Sequence, residues 1–352
     1  MHNVTLQINL SPGDITYAGI TVPFLAKAHQ DNVDEKLAIV NCCRPQKTVI
    51  VDPDKKFPEL LYSFQVKEIC TIAEKLKKQG YLDRIVYIYP GDSLISHSYR
   101  KYMGGWLGIN DTHDFTGAGL MPYFVGLAAA NSRYVIHYDP DMLIYQAPGY
   151  DWSVEAIQLM NKRDKVITAS PRISPLFSEE HGVADAPSMH EPWIPTPVEG
   201  GWLNPWISGR CYLIDSEKLS KYLPLAQGKV LLDLLAVKYL NRSYPRTFET
   251  TLTNRLRGAD CWRLDLNSQQ AWLLHPTTKP PRYIELLPQI IESVSQGQVP
   301  REQRGYADIN LSAWKEFLAK SKPKNDVNEN QHYDRVWSKV VSNGIALKNE
   351  AE

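Results

Sequence analysis

A chain of 352 residues, of which 43% are hydrophobic and 10% aromatic, can bury a sizeable core, and this excludes intrinsic disorder as its general state. Lysine plus arginine and aspartate plus glutamate both number 39, so no global field would draw the chain to nucleic acid. The longest apolar run, residues 120–130, is too short for a membrane span. Five cysteines without zinc-like spacing and an N-terminus without signal-peptide features lead us to expect a cytoplasmic protein.

The first half of the chain alternates short apolar runs with longer mixed segments, a pattern typical of strands joined by crossover helices in a mainly parallel sheet. We therefore predict the α/β fold class. The predicted strands are Val4–Asn9, Leu37–Cys42, Arg84–Tyr89 and Tyr134–Tyr138. The predicted helices are Ile20–Gln30, Phe64–Gly80 and Gly117–Ala130.

The second half has a different character. Residues 171–209 are rich in proline and tryptophan and predict long loops, which in compact proteins are usually functional. The apolar patterns that follow predict a strand at Arg210–Ile214, mostly helix at Leu219–Leu240, a short helix at Glu249–Arg257 and an apolar run at Trp272–His275. From Ser321 onward the chain is polar, and we expect a weakly ordered tail with one helix near Tyr333–Val341.

Two carboxylates, Asp139 and Asp141, stand one residue apart directly after the predicted strand Tyr134–Tyr138. In open α/β sheets, ligands gather at the carboxyl ends of the strands. Paired carboxylates at that place can hold a hard cation such as Mn²⁺ or Mg²⁺, which would neutralise a diphosphate leaving group. The competing interpretation is that Asp-Pro-Asp only makes a turn and caps a helix.

The segment from Gly117 to Asp141, a small-residue helix followed by a strand and an Asp-x-Asp motif, resembles the corresponding segment of GT-A glycosyltransferases. Residues 207–215 are similar to the strand beside the acceptor site of that family. Residues 248–258 are similar to the Glu-Asp-x-x-Leu-x-x-Arg-Leu segment of its inverting members. The resemblance covers residues 4–276, motif by motif and in the same order.

This resemblance implies a GT-A, Rossmann-like fold, in which a mixed, mainly parallel sheet is flanked by helices and carries an acceptor-binding subdomain. It places nucleotide-sugar binding in residues 1–150, acceptor binding in residues 151–290, and a C-terminal extension with a polar tail in residues 291–352. The implied activity is that of a hexosyltransferase-like enzyme. Its donor would be a UDP- or GDP-sugar, and its acceptor a carbohydrate or another hydroxyl compound.

Two further residues gain roles from the resemblance. Several GT-A enzymes supply a third metal ligand from a C-terminal histidine, and His275 matches that position in order. Inverting relatives carry the general base directly after the first glutamate of their segment, where this chain has Thr250. Glu249 becomes the base only if the register shifts by one residue, so an inverting reaction and a retaining one both stay open.

Binding residues are expected on either side of the metal. For the donor, polar residues at or after the first strand ends are candidates for contacts to the base and ribose, and a basic residue for contacts to the phosphates. These are Asn9, Ser11, Arg44 and Asp52, with Asp139 at the ribose or metal and Arg100 at the phosphates. For the acceptor, the aromatic faces of Trp202 and Trp206 and the carboxylate of Glu199 offer stacking and hydrogen bonding to a sugar.

Two alternatives remain beside a glycosyltransferase. A sugar nucleotidyltransferase shares the α/β core, but it needs a basic, glycine-rich phosphate loop after the first strand, and residues 10–19 contain no basic residue. A binding protein that keeps the fold without activity is favoured by Thr250 and opposed by the intact Asp139 and Asp141.

Overall fold

The computed structural model describes residues 3–48, 51–105, 111–175, 195–240 and 247–321. The strands in these ranges are β1 Val4–Leu10, β2 Glu35–Asn41, β3 Arg84–Ile88, β4 Tyr134–Tyr138, β5 Leu143–Gln146, β6 Val166–Ser170, β7 Thr196–Val198, β8 Gly201–Asn204, β9 Cys211–Asp215, β10 Trp262–Leu266 and β11 Ala271–Leu274. The helices are α1 Ala18–Ala28, α2 Pro53–Lys56, α3 Glu59–Lys78, α4 Ser93–Met103, α5 Met121–Ala129, α6 Trp152–Asn161, α7 Ser216–Ser220, α8 Gly228–Leu240, α9 Phe248–Arg257, α10 Pro281–Ser295 and α11 Leu311–Ser321.

One mixed sheet with the strand order β3-β2-β1-β4-β9-β6-β10-β8-β7 organises the described residues. Strands β3, β2, β1 and β4 are parallel to one another, as are β6 and β10, while β9 and β8 run antiparallel to their neighbours. Alternate residues of β2 and β4 face two separate apolar clusters, one on each side of the sheet. This confirms the predicted α/β class with a mixed, mainly parallel sheet flanked by helices.

A small second sheet pairs β5 with β11 in antiparallel register, with Leu143 opposite Leu274. Asp141 lies two residues before this pair and His275 one residue after it, so the pairing brings both side chains to the same end of the small sheet. Helices α10 and α11 cover this sheet with a third apolar cluster around Trp314. The part of the chain that the structure describes contains no helix long and apolar enough to cross a bilayer.

Two predictions for the second half are corrected by the structure. The helix predicted over Leu219–Leu240 is divided into α7 and α8, and the connection between them contains Pro224, which has no backbone N–H for a helix. The predicted loops of residues 171–209 include the hairpin β7–β8. Its strands are only three and four residues long, and Pro197 lies in the first, so the sequence pattern for strands is weak there.

The predicted domain limits stay a prediction. The main sheet contains strands from both sides of residue 150, and residue 290 lies inside α10. The tail and the predicted helix at residues 333–341 are outside the described residues.

Three buried side chains, Trp152, Tyr138 of β4 and His29, form a hydrogen-bonded chain. Trp152 donates its indole N–H to the hydroxyl of Tyr138 at 3.0 Å. The Tyr138 hydroxyl is therefore able to donate its own proton to Nε2 of His29, 2.9 Å away. Burial lowers the pKa of His29 from 6.5 to about 4. The unfolded chain consequently binds a proton at a higher pH than the folded chain does.

We expect this histidine to make the fold sensitive to acid. The contribution of His29 to stability is complete above pH 6.5 and is lost as the pH falls towards 4, by up to about 3 kcal/mol. Urea unfolding of the wild type and of His29→Gln at pH 7 and at pH 4.5 measures it. The wild type should lose more stability between the two pH values than the variant, and equal losses would contradict the assignment.

Candidate functional site

A cleft of about 300 Å³ opens at the carboxyl edge of the sheet, where β1, β2 and β4 end side by side. Its walls include Asn9 of β1, Asn41 of β2, and Asp139 and Asp141 after β4. Parallel strands place their carboxyl ends at one edge, which explains why residues so distant in sequence meet here.

Asp139 is held in a fixed orientation by aromatic neighbours. The hydroxyl of Tyr123 donates to its Oδ1 at 2.9 Å, and Nε2 of His137 lies 3.2 Å from the same oxygen. His137 is fully buried and stacks on Tyr212 at a centroid distance of 4.9 Å. The imidazole therefore belongs to the packing behind the strand, and it orients the carboxylate at the cleft.

Asp141 has two cationic or basic neighbours. Nζ of Lys279 is 2.5 Å from its Oδ2, and Nε2 of His275 is 3.9 Å from the same oxygen. The Lys279 ammonium also lies 5.3 Å from the ring centre of Tyr17, which lines the cleft. At the end of β4, the carboxylate of Asp141 therefore has the imidazole of His275 and the ammonium group of Lys279 within a few ångströms.

Contacts at the second ring nitrogen, Nδ1, fix the orientation of His275. Nη1 of Arg210 donates to Nδ1 at 3.0 Å, and Oδ1 of Asp308 is 3.4 Å from the same atom. Burial lowers the pKa of His275, although the charge of Asp141 opposes this. A neutral imidazole is the form that binds metals.

The residues present fit a divalent cation in part. Asp141 and His275 offer an oxygen and a nitrogen donor, a combination suited to Mn²⁺ and also compatible with Mg²⁺ if other oxygens contribute. Asp139 directs Oδ1 at Tyr123 and His137, and in the described ranges no three His, Cys, Asp or Glu side chains converge as one metal site. Phosphate oxygens and water would have to complete the coordination, and Lys279 competes for Asp141.

The wall formed by the loop after β1 contains a buried carboxylate. The backbone N–H and the hydroxyl of Ser11 donate to Oδ2 of Asp14 at 2.6 and 2.8 Å, and the Tyr17 hydroxyl donates to its Oδ1. Burial nevertheless raises the pKa of Asp14 to about 6. Asn9 is 8% exposed, and its Nδ2 has no hydrogen-bond partner among the described residues, so the cleft offers an unused donor.

Glu249 is the second residue of α9, in its first turn. It is not among the described residues that line the cleft. Its Oε1 accepts a hydrogen bond of 2.6 Å from the backbone N–H of Gly209, directly before Arg210. Burial raises the pKa of Glu249 and outweighs that hydrogen bond, which acts in the opposite direction. A carboxylate with a raised pKa is a stronger base, so its chemistry is compatible with the predicted role, which stays a prediction.

Three of the predicted donor residues do not reach the cleft. Arg44 donates to the carbonyl oxygens of Phe57 and Pro53 at 2.8 and 3.0 Å, and so anchors the segment around α2. Asp52 caps α2. Arg100 is exposed on α4 and is absent from the described lining of the cleft. Of the predicted set, Asn9, Ser11 and Asp139 are brought together.

The predicted acceptor residues have different surroundings in the structure. Glu199 stands at the tip of the β7–β8 hairpin, where its Oε1 is 3.1 Å from Nζ of Lys162. Trp202 is 9% exposed and has the guanidinium of Arg172 over its ring at 5.6 Å. Trp206 is partly exposed and is the better placed of the two tryptophans to meet a sugar.

The sequence interpretation missed several residues of the site. Lys279, Asp14 and Tyr123 all line the cleft, but none of them is among the predicted site residues, although Tyr123 lies within the segment Gly117–Asp141. The one signal for Lys279 is its position four residues after His275 and before two prolines.

No protein-family model matches this sequence, and no curated protein sequence is similar to it at a significant level. Among solved structures the chain is similar to GalNAc-T7 with UDP, GalNAc and Mn²⁺ (TM-score 0.41, 8% identity), over 77% of this chain but only 43% of that one. It is similar to S. aureus TarS 1-349 in complex with UDP-GlcNAc (TM-score 0.38, 10% identity), over 90% and 70% of the two chains. It is also similar to a UDP-glucose pyrophosphorylase complexed with UDP-glucose (TM-score 0.38, 8% identity), over 91% and 100%. These values are too low to assign an activity to this chain.

Proposed function

We propose that this protein is a GT-A glycosyltransferase that moves a sugar from a UDP- or GDP-sugar to a hydroxyl acceptor with the help of Mn²⁺ or Mg²⁺. The observation that carries the proposal is the arrangement at the end of β4, where Asp139, Asp141 and Lys279 line the cleft and His275 is adjacent to Asp141. A departing nucleoside diphosphate develops negative charge, and this place supplies positive charge for it.

In this proposal, different residues at the cleft bind the cation, the phosphates and the nucleotide. Asp141 and His275 are the residues that would hold the cation, which when bound would neutralise charge on the diphosphate. The Lys279 ammonium would add a second positive charge at the phosphates. Asn9 offers its unpaired Nδ2 to an acceptor atom of the nucleotide.

The reaction also needs a base for the acceptor hydroxyl if the transfer inverts the anomeric configuration. Glu249 fits this role by its raised pKa and by its position one residue after Phe248, whose ring stacks on Tyr123 at 4.5 Å. Tyr123 in turn donates to Asp139. We therefore propose an inverting transfer with Glu249 as base, and a retaining transfer is the alternative.

A thermal-shift screen with UDP, GDP and their sugar conjugates, each with and without Mn²⁺, tests the proposed donor class. At a concentration of about 100 times Kd, a ligand of the folded state adds about 2.7 kcal/mol to stability. We expect one nucleoside diphosphate to raise Tm in the presence of Mn²⁺, and the shift to be smaller in Lys279→Met. Lys315→Met, which removes an exposed lysine of α11, is the matched control and should respond like the wild type.

Product analysis separates the candidate activities. Incubation with the selected nucleotide sugar and Mn²⁺ should slowly release a nucleoside diphosphate, because water can replace the acceptor. A nucleoside triphosphate formed only when pyrophosphate is added would instead identify a nucleotidyltransferase. Tight binding without any turnover would identify a binding protein.

A further inference from the structure

Cys42 and Cys70 bring two thiols into contact beside the cleft. Cys42 is the first residue after β2, Cys70 lies on α3, and their Sγ atoms are 3.8 Å apart. A disulfide bond has an S–S length of about 2.05 Å, so the pair needs an approach of less than about 2 Å to form one.

The other cysteines point elsewhere. Sγ of Cys43 is directed at the carbonyl oxygen of Ile88 at 3.6 Å, and Sγ of Cys261 at that of Ala259 at 3.6 Å. Cys211 is buried at the start of β9, next to the hydroxyl of Tyr138 of β4. The contact is therefore selective for Cys42 and Cys70, although Cys43 is next in the chain.

The two thiols differ in access to solvent. Cys70 is partly exposed and lines an open groove of about 640 Å³, together with Lys67, Lys75 and Tyr89. Cys42 is buried, and burial, with a further contribution from Cys70, raises its pKa to about 12. Because Cys70 is the thiol that solvent can reach, it is the one that meets an oxidant first.

We propose that Cys42 and Cys70 are an oxidation site, at which a hydroperoxide converts the two thiols into an intramolecular disulfide. The Cys70 thiolate attacks the hydroperoxide, the O–O bond breaks, and a sulfenic acid and an alcohol (or water, from hydrogen peroxide) are formed. Cys42 then attacks Sγ of Cys70, loses its proton and expels the oxygen as water. The two thiols lose two electrons and two protons, and the hydroperoxide is reduced.

The cross-link joins two elements that form one wall of the cleft. Asn41, directly before Cys42, lines the cleft, and so does Tyr62 of α3. The Tyr62 hydroxyl donates to the carbonyl oxygen of Cys43, so α3 already contacts the end of β2 here. A covalent bond between the two elements restricts this wall, and it closes a loop of the unfolded chain, which stabilises the fold.

Peptide mapping of the full chain after hydrogen peroxide treatment tests the proposal. Free thiols are alkylated under denaturing conditions, and the protein is digested with trypsin without reduction. We expect the peptides of residues 37–47 and 68–75 to appear joined in the wild type, with Cys43 alkylated, and in Cys43→Ser, in each case two hydrogens lighter than the sum of the two peptides, and to separate with dithiothreitol. The joined species should be absent from Cys42→Ser and Cys70→Ser.

Thermal unfolding supplies a second readout. Oxidation should raise Tm by about 5 °C in the wild type and in Cys43→Ser, and dithiothreitol should reverse the rise. If Cys42 and Cys70 are both still free after treatment, or if the bond formed involves Cys43, the proposal is overturned. An unchanged Tm despite the joined peptides would overturn the stabilisation of the fold by the cross-link. These outcomes do not depend on the glycosyltransferase assignment.

Discussion

Replacing Asp141 by asparagine is expected to lower sugar transfer by about 10²- to 10³-fold, because the neutral amide weakens cation binding and no longer pairs with Lys279. The shape of the side chain is kept, so the melting temperature should change little. Initial rates at saturating donor in the presence of Mn²⁺ measure the effect. Chelation by EDTA should cause a comparable loss in the wild type, and added Mn²⁺ should restore the rate.

Asp92→Asn is the matched control, because Asp92 caps α4 and asparagine caps helices equally well. Its rate should equal that of the wild type. If Asp141→Asn turns over within a few-fold of the wild type, Asp141 is not at the reacting phosphates. If EDTA leaves full activity, the cation assigned to Asp141 and His275 is wrong, and Lys279 would have to supply the positive charge alone.

Replacing Glu249 by glutamine is expected to lower turnover by about 10²- to 10⁴-fold with little change in donor affinity, because the amide cannot accept the proton of the acceptor. Glutamine still offers Oε1 to the backbone N–H of Gly209, so the fold should be kept. Steady-state kinetics with the identified acceptor separate kcat from KM, and NMR of the product gives its anomeric configuration.

The pH dependence of the transfer rate gives a second test of Glu249 as the base. Since the pKa of Glu249 is raised, the wild-type rate should rise with pH through a value above the usual range of a glutamate, as the carboxyl group loses its proton. The glutamine variant should lack that rise. Glu217→Gln, a change in the first turn of α7, is the matched control. If the product retains the anomeric configuration, or if Glu249→Gln turns over within a few-fold of the wild type, Glu249 is not the base. Its role would then be the structural hydrogen bond with Gly209.

The sequence by itself determined the strands β1 to β4, the helices α1, α3 and α5, and the position of the Asp-x-Asp motif. Strand β4 was predicted with the same limits that the structure gives it, because five consecutive residues buried on both faces leave a clear pattern. Asp139 and Asp141 follow that strand directly, so their location at the carboxyl edge of the sheet needed only local information. The predicted contacts of Asn9 and Ser11 rest on the same reasoning, since both residues stand at the end of β1.

Only the tertiary structure decided which side chains meet at that edge. The pairing of β5 with β11 brings His275 to Asp141, and Lys279 arrives with it, although more than 130 residues separate them from the motif. Reasoning from strand ends also predicted Arg44 as a residue that contacts the donor. In the structure its guanidinium group donates to carbonyl oxygens around α2. Periodicity reports which face of an element is buried, but side-chain direction and long-range pairing depend on the packing of the whole chain.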